Sequence, residues 1–201
     1  MLNVLIAEDD IPTSVQLLNT INTENVRCIG ILNNCAVVYK KTKELNPDIL
    51  LLNMKDGLSI LHEIQEDRYL QTKIFIYSEN MQYMALARNY KCVDRFFSKI
   101  TPPEEISREL DEISEKISNE KLSKKIREIL LQIGFDYTLK GTRYLSDCIS
   151  YAVLNNEETD SKIYSEVSKE KGENMYTIKS NINTAIVNMW KFCNKEKWKK
   201  Y

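Results

Sequence analysis

Four polar points each close an apolar or β-rich run: Glu8-Asp9-Asp10, Asn53, Ser78 and Lys99. If those runs are neighbouring parallel strands, their carboxyl ends meet on one edge of the sheet, where such folds collect ligands. Glu8 and Asp9 would then supply hard oxygen donors of the kind a divalent cation takes. The plainer alternative is a solvated acidic rim. Asp56 reads as the cap of a helix starting near Gly57, and Lys99 as an ion pair to Asp9 or a hydrogen bond to Asn53. Other chemistries are excluded early. His62 is the only histidine, which removes Ser-His, Cys-His and multi-histidine metal designs. The five cysteines are scattered with no CxxC pair, which fits a reduced protein better than a disulfide scaffold or zinc site. With no nucleophile–base pair and no phosphate loop, the chain is not read as an enzyme.

The elements that must position these residues alternate between two periods. Residues 3–6 (NVLI), 26–32 (VRCIGIL), 48–52 (DILLL), 73–77 (KIFIY) and 93–97 (VDRFF) are short runs with little alternation, suited to a parallel sheet covered on both faces. Between them lie helical stripes: Val15, Leu18 and Ile21, then Ile60, Leu61 and Ile64. A third, Ile106, Leu110, Ile113 and Ile117, follows the start signal Pro102-Pro103-Glu104-Glu105. Five strands alternating with five helices predict a doubly wound, flavodoxin-like α/β domain over residues 1–118. From residue 119 to 201 the strand signal ends and a small all-helical domain is expected. Its stripes are Leu122/Ile126/Ile129/Ile133, Leu145/Ile149/Ala152/Val153, Ile163/Val167, and Ile178/Ile182/Ala185/Ile186/Met189/Trp190. Residues 118–121 read as a polar hinge or as continuous helix.

Charge divides the chain in the same place. Through Ser118 there are 13 basic and 18 acidic residues, and from Asn119 onward 15 and 11. The basic surplus is confined to the tail KFCNKEKWKKY, because residues 119–190 carry 10 of each sign. The opening MLNVLIAEDD has no basic region, and the longest apolar run, residues 49–52, is far too short for a bilayer; a cytoplasmic protein with no membrane partner is expected.

VLIAEDD, PDILLLN, IFIYS and DRFFSK, in that order and spacing, resemble the receiver domain of two-component response regulators over residues 2–117. That resemblance implies an acidic pair, Glu8 and Asp9, that binds Mg²⁺, a hydroxyl, Ser78, that bonds a phosphoryl group, and a cation, Lys99, that pairs with it. Phe96 becomes the switch aromatic. The phosphoacceptor position falls on Asn53, whose amide cannot form an aspartyl phosphate and brings one negative charge fewer to the cation. The following loop is shortened, Lys55 adds positive charge, and Ile100 replaces the usual Pro. The resemblance therefore implies a pseudo-receiver that requires no cofactor and holds Mg²⁺ weakly.

The run IREILLQIGFDYTLKGTRYLSDCISYAV and the following IYSEVSKEKGENMYTIKSNINTAIVNMW resemble the effector domain of sporulation-initiation response regulators over residues 122–193. Shared features are the IG turn, KG-x-x-YL, the helix ending in AV and the closing Trp. Helix-turn-helix proportions around Gly172-Glu173-Asn174 agree. Tyr176, Thr177, Lys179, Ser180, Asn181, Asn183, Thr184 and Asn188 then face duplex DNA, with Lys191 and Lys195 toward phosphates. The family's arginines are replaced here by Thr177, Ser180 and Asn183. Both resemblances imply a DNA-binding regulator whose receiver dimerises, as homodimer or heterodimer, near residues 83–89 and 104–110, or senses a partner or ligand. The alternative is an adaptor that pairs with an authentic regulator without binding DNA tightly. No small-molecule substrate is expected.

Overall fold

The computed structural model describes residues 1–192, with the side chain of Phe192 outside that description. The chain divides into two compact units, Met1–Lys116 and Ile117–Tyr201.

The first unit contains β1 (Leu2–Glu8), α1 (Ile11–Ile21), β2 (Val26–Leu32), α2 (Cys35–Leu45), β3 (Ile49–Asn53), α3 (Gly57–Glu66), β4 (Lys73–Tyr77), α4 (Met81–Ala87) and β5 (Val93–Phe97). All strand pairs are parallel, in the order β2-β1-β3-β4-β5. The chain switches direction of winding after β2, which puts the ends of β1, β3 and β4 side by side. Period 2 sorts the strand residues onto two faces. Leu5, Ala7, Leu50, Leu52, Ile74 and Ile76 pack with Val38, Ile60, Leu61, Ile64, Tyr83 and Ala87 of α2, α3 and α4. The intervening Val4, Ile6, Leu51 and Phe75 are equally buried, and the Phe75 and Phe97 rings lie 5.8 Å apart.

α5 (Pro103–Gln132) opens with Glu104 and Glu105, and residues 118–121 lie within it as helix. Two hydroxyls near its start anchor it to the sheet domain: Ser107 donates to the Thr20 carbonyl and Ser114 to that of Asn25. α1 departs from its expected stripe. Val15 is exposed and Leu18 half-buried, whereas Ser14, Leu17 and Ile21 face inward. Ser14 tolerates burial because its hydroxyl donates to the Ile11 carbonyl at 2.8 Å.

The second unit has the end of α5, α6 (Lys140–Asn155), α7 (Asp160–Lys171) and α8 (Met175–Phe192). One core joins Tyr144 and Cys148 of α6, Ile163 and Val167 of α7, and Ile178 and Ile182 of α8. A second joins Ile126 and Leu130 to Phe135, Ala185 and Met189. Three expected stripes shift: Leu130 replaces the exposed Ile129, Val153 is exposed, and Trp190 is 56 % exposed while Met189 fills the core. Trp190 sits about 100° around the helix from Met189, off the Ile178–Ile182–Ala185 line. Gly141 permits the close approach of α6 to α8, since a Cβ there would collide with the Asn181 backbone carbonyl. Among the described residues no helix is long and apolar enough to cross a membrane.

Candidate functional site

The parallel register brings Glu8 and Asn53 opposite one another at the ends of β1 and β3. Together with Asp9, Asp10, Lys55, Ser78, Asn80, Tyr83 and Lys99 they line a cavity of about 270 Å³. All five expected pocket residues, Glu8, Asp9, Asn53, Ser78 and Lys99, therefore lie together. Their pairing differs from the one expected. Glu8 is 1 % exposed and forms the floor. The Asn53 amide donates to both Glu8 oxygens at 2.9 Å, and the Asp10 backbone N–H donates to Oε1 at 3.0 Å. Lys99 pairs with Glu8 at 3.5 Å, in place of the Asp9 or Asn53 contact expected. Glu8 is the buried carboxylate, so the greatest need for compensation lies there.

The other carboxylates are occupied differently. Asp9 Oδ2 accepts the Lys55 backbone N–H at 3.0 Å. Asp10 caps α1 through Thr13, whose hydroxyl bond above all, and then its backbone N–H, pull the Asp10 carboxyl below its usual range. Asp56 occupies the position before α3 but makes no capping bond; its carboxylate instead accepts a long contact from the Cys35 thiol. No group of three or more His, Cys, Asp or Glu side chains able to hold a metal occurs among the described residues. As hydrogen-bonded, both Glu8 oxygens and one Asp9 oxygen already face N–H donors, so this donor set fits a divalent cation poorly.

Sequence reasoning passed over Tyr83 as a pocket residue. Its ring lies against Gly57, where a Cβ would collide with the phenol oxygen, and its hydroxyl is buried without a hydrogen-bond partner among the described residues. Burial raises the phenol well above its ordinary range. Asn80, which caps α4 by accepting the Tyr83 N–H, is the local signal that sets Tyr83 on the first inward turn. Phe96 is half-buried against the α2–α4 core, and the Arg88 guanidinium lies 5.7 Å from its ring. Of the expected dimer segment at 83–89, Tyr83 and Ala87 point inward, while Leu86, Arg88 and Asn89 are exposed. Met81 is 82 % exposed at the start of the same helix.

In the second unit the turn between α7 and α8 is built from Gly172, Glu173 and Asn174. Gly172 takes the left-handed conformation with φ 63° and closes α7. The Glu173 carbonyl accepts the Ser168 hydroxyl at 2.6 Å, and its carboxylate accepts the Tyr144 hydroxyl at 3.1 Å. The Asn174 side chain accepts the Tyr176 N–H and starts α8. Opposite the buried Ile178, Ile182, Ala185 and Met189, a shallow strip of about 550 Å³ runs along Tyr176, Lys179, Ser180, Asn183, Thr184, Val187, Asn188 and Lys191. Thr177 and Asn181, also expected outward, flank it; Thr177 is exposed and Asn181 half-buried. The Asn181 amide is turned onto its own helix, donating to the Thr177 carbonyl at 2.8 Å. Val187, 49 % exposed, lay in neither the expected core stripe nor the expected outward set; its placement opposite Ile178 is the signal that finds it. Lys179 is held over the Tyr164 ring of α7 at 4.9 Å. Lys195 lies outside the described residues, as do Lys197, Trp198, Lys199 and Lys200.

Residues 126–201 match the family model described as "Sporulation initiation factor Spo0A C terminal". The comparison with curated proteins finds no match. Among solved structures, a DNA-binding response regulator of the LuxR family from Staphylococcus aureus superposes with a TM-score of 0.51 at 21 % identity, over 57 % of this chain and 99 % of that one. The REC domain of AraT, a response regulator from Geobacillus stearothermophilus, gives 0.50 at 18 % identity, over 60 % and 98 %. The receiver domain of Francisella response regulator 1452 gives 0.50 at 15 %, over 58 % and 99 %. At these identities the likeness to the solved structures is one of fold: the first unit has the receiver fold.

Proposed function

We propose that the chain is a DNA-binding transcription regulator of response-regulator architecture whose receiver accepts no phosphoryl group and acts as a dimerisation or partner-sensing module. The observation that carries it is α8: a surface helix following a Gly172 turn, with a solvent face of Asn, Thr, Ser, Tyr and Lys and no carboxylate. A helix so placed fits a major groove, and its lack of acidic groups suits a polyanion. The match of residues 126–201 to an effector family supports the same reading.

For the receiver, Asn53 supports a constitutive state. Its amide takes the place at Glu8 that a cation would otherwise fill, so Mg²⁺ binds weakly and no cofactor is required. With Asn at the phosphoacceptor position, an acyl phosphate has no carboxylate nucleophile there. Exposed Met81 and Leu86 on α4 supply the apolar part of a self-association surface for a homodimer or heterodimer.

The test is fluorescence anisotropy of the full chain with duplex DNA at two salt concentrations, with and without an acyl-phosphate donor and Mg²⁺. Affinity that falls steeply with salt and ignores the donor is the expected result, with about one unit of log–log slope per phosphate contact. Binding enhanced by the donor overturns the constitutive receiver. Absence of DNA binding together with capture of a receiver protein moves the assignment to an adaptor that heterodimerises with an authentic regulator.

A further inference from the structure

We infer that α8 reads A·T base pairs, with Asn183 as the adenine contact and Thr184 and Val187 as a methyl-lined wall for thymine; this rests on the reading that α8 enters the major groove. The chemistry is legible in what the strip presents. α8 has no arginine, so the fork that pairs bidentately with guanine is missing from the whole helix. Its only charged side chains among the described residues are Lys179 and Lys191. Lys179 is drawn toward the Tyr164 ring on α7, at the edge of the strip, and Lys191 stands at its far end. Both are therefore placed for backbone phosphates and not for the base edges facing the middle of the helix.

The centre of the strip is Ser180, Asn183, Thr184 and Val187, which lie opposite the buried line of Ile178, Ile182, Ala185 and Met189. Two polar side chains here are already engaged within the helix: the Asn181 amide donates to the Thr177 carbonyl, and the Thr184 hydroxyl donates to the Ser180 carbonyl at 2.9 Å. Spending the Thr184 hydroxyl on the backbone leaves its methyl as the outward group, one turn before the exposed Val187. Asn183 is exposed and its amide has no partner among the described residues. An amide offers one acceptor and one donor side by side, the complement of adenine N6–H and N7, while methyl groups complement the C5-methyl of thymine. Guanine finds no arginine fork at this point.

The experiment is selection of the full chain on a randomised duplex library, followed by anisotropy on the selected duplex and on single base-pair variants. A·T pairs enriched at two or more adjacent central positions are expected. Asn183→Ala should weaken the selected duplex relative to a scrambled one by about 5- to 150-fold, the range for loss of one bidentate base contact. Asn183→Arg should move the preference at one position from A to G, a gain that misfolding cannot mimic. Enrichment of G·C pairs, or an Asn183→Ala variant with unchanged base preference, overturns the inference while leaving DNA binding intact. Binding to no duplex at all overturns the proposed function and this inference with it.

Discussion

Placing a carboxylate at position 53 should destabilise the receiver unit, because the present amide is a donor to a buried anion. In Asn53→Asp the two 2.9 Å amide bonds to Glu8 disappear and a second carboxylate stands in their place. Two unit charges about 3 Å apart at an effective dielectric near 20 repel by roughly 5 kcal/mol. Lys99, 3.5 Å from Glu8, and solvent at the half-buried position 53 offset part of this. A net loss of about 2–3 kcal/mol remains. At about 4 °C per kcal/mol for a unit of this size, the melting midpoint of the receiver should fall by about 10 °C at neutral pH. The neighbouring Glu8 anion raises the folded pKa of the introduced carboxyl above the ordinary aspartate value. The deficit is therefore absent below about pH 4 and appears as pH rises through the raised value. Millimolar Mg²⁺ should recover stability in the variant, which gains a carboxylate beside Glu8 and Asp9, and should leave the natural chain unchanged. Differential scanning calorimetry at several pH values reads all three outcomes. A variant as stable as the natural chain at pH 7.5 without metal refutes the argument, as does equal stabilisation of both by Mg²⁺.

Three further perturbations separate the units. Gly141→Ala drives a methyl into the Asn181 backbone carbonyl, so α6 and α8 must part; urea unfolding followed by tryptophan fluorescence should show a loss of about 3 kcal/mol, and an unchanged midpoint contradicts the packing. Tyr83→Phe removes a buried hydroxyl that has no partner among the described residues, and the receiver transition should rise by about 1 kcal/mol; a fall of that size would show that the hydroxyl is satisfied in solution. The Glu157 carboxyl is pulled from 4.5 to about 2, first by the Lys162 ammonium and then by the Thr159 N–H. Its contribution is present above pH 4.5 and is lost as pH falls toward 2, so Glu157→Gln should destabilise the second unit at pH 6 and match the natural chain near pH 2 in thermal melts.

The receiver fold was readable in the linear pattern because parallel strands buried on both faces leave unbroken apolar runs, and the polar residue ending each run marks the pocket edge. That Glu8, Asn53, Ser78 and Lys99 belong together follows from strand order alone once the runs are paired. Which of them bond is another matter. Lys99 chooses Glu8 over Asp9 because Glu8 is the carboxylate withdrawn from water, and withdrawal depends on the packing of α2–α4 against the sheet. Helix faces show the same division. Periodicity locates α1 and α8 but leaves the rotation of their inward face open by up to a residue. Val15 yields to Leu17 beside a hydrogen-bonded Ser14, and Trp190 yields to Met189. The Asn-rich composition of α8 is a property of the sequence. That Asn181 is spent on its own helix while Asn183 stands open was decided only when the tertiary fold set which side of α8 meets the core.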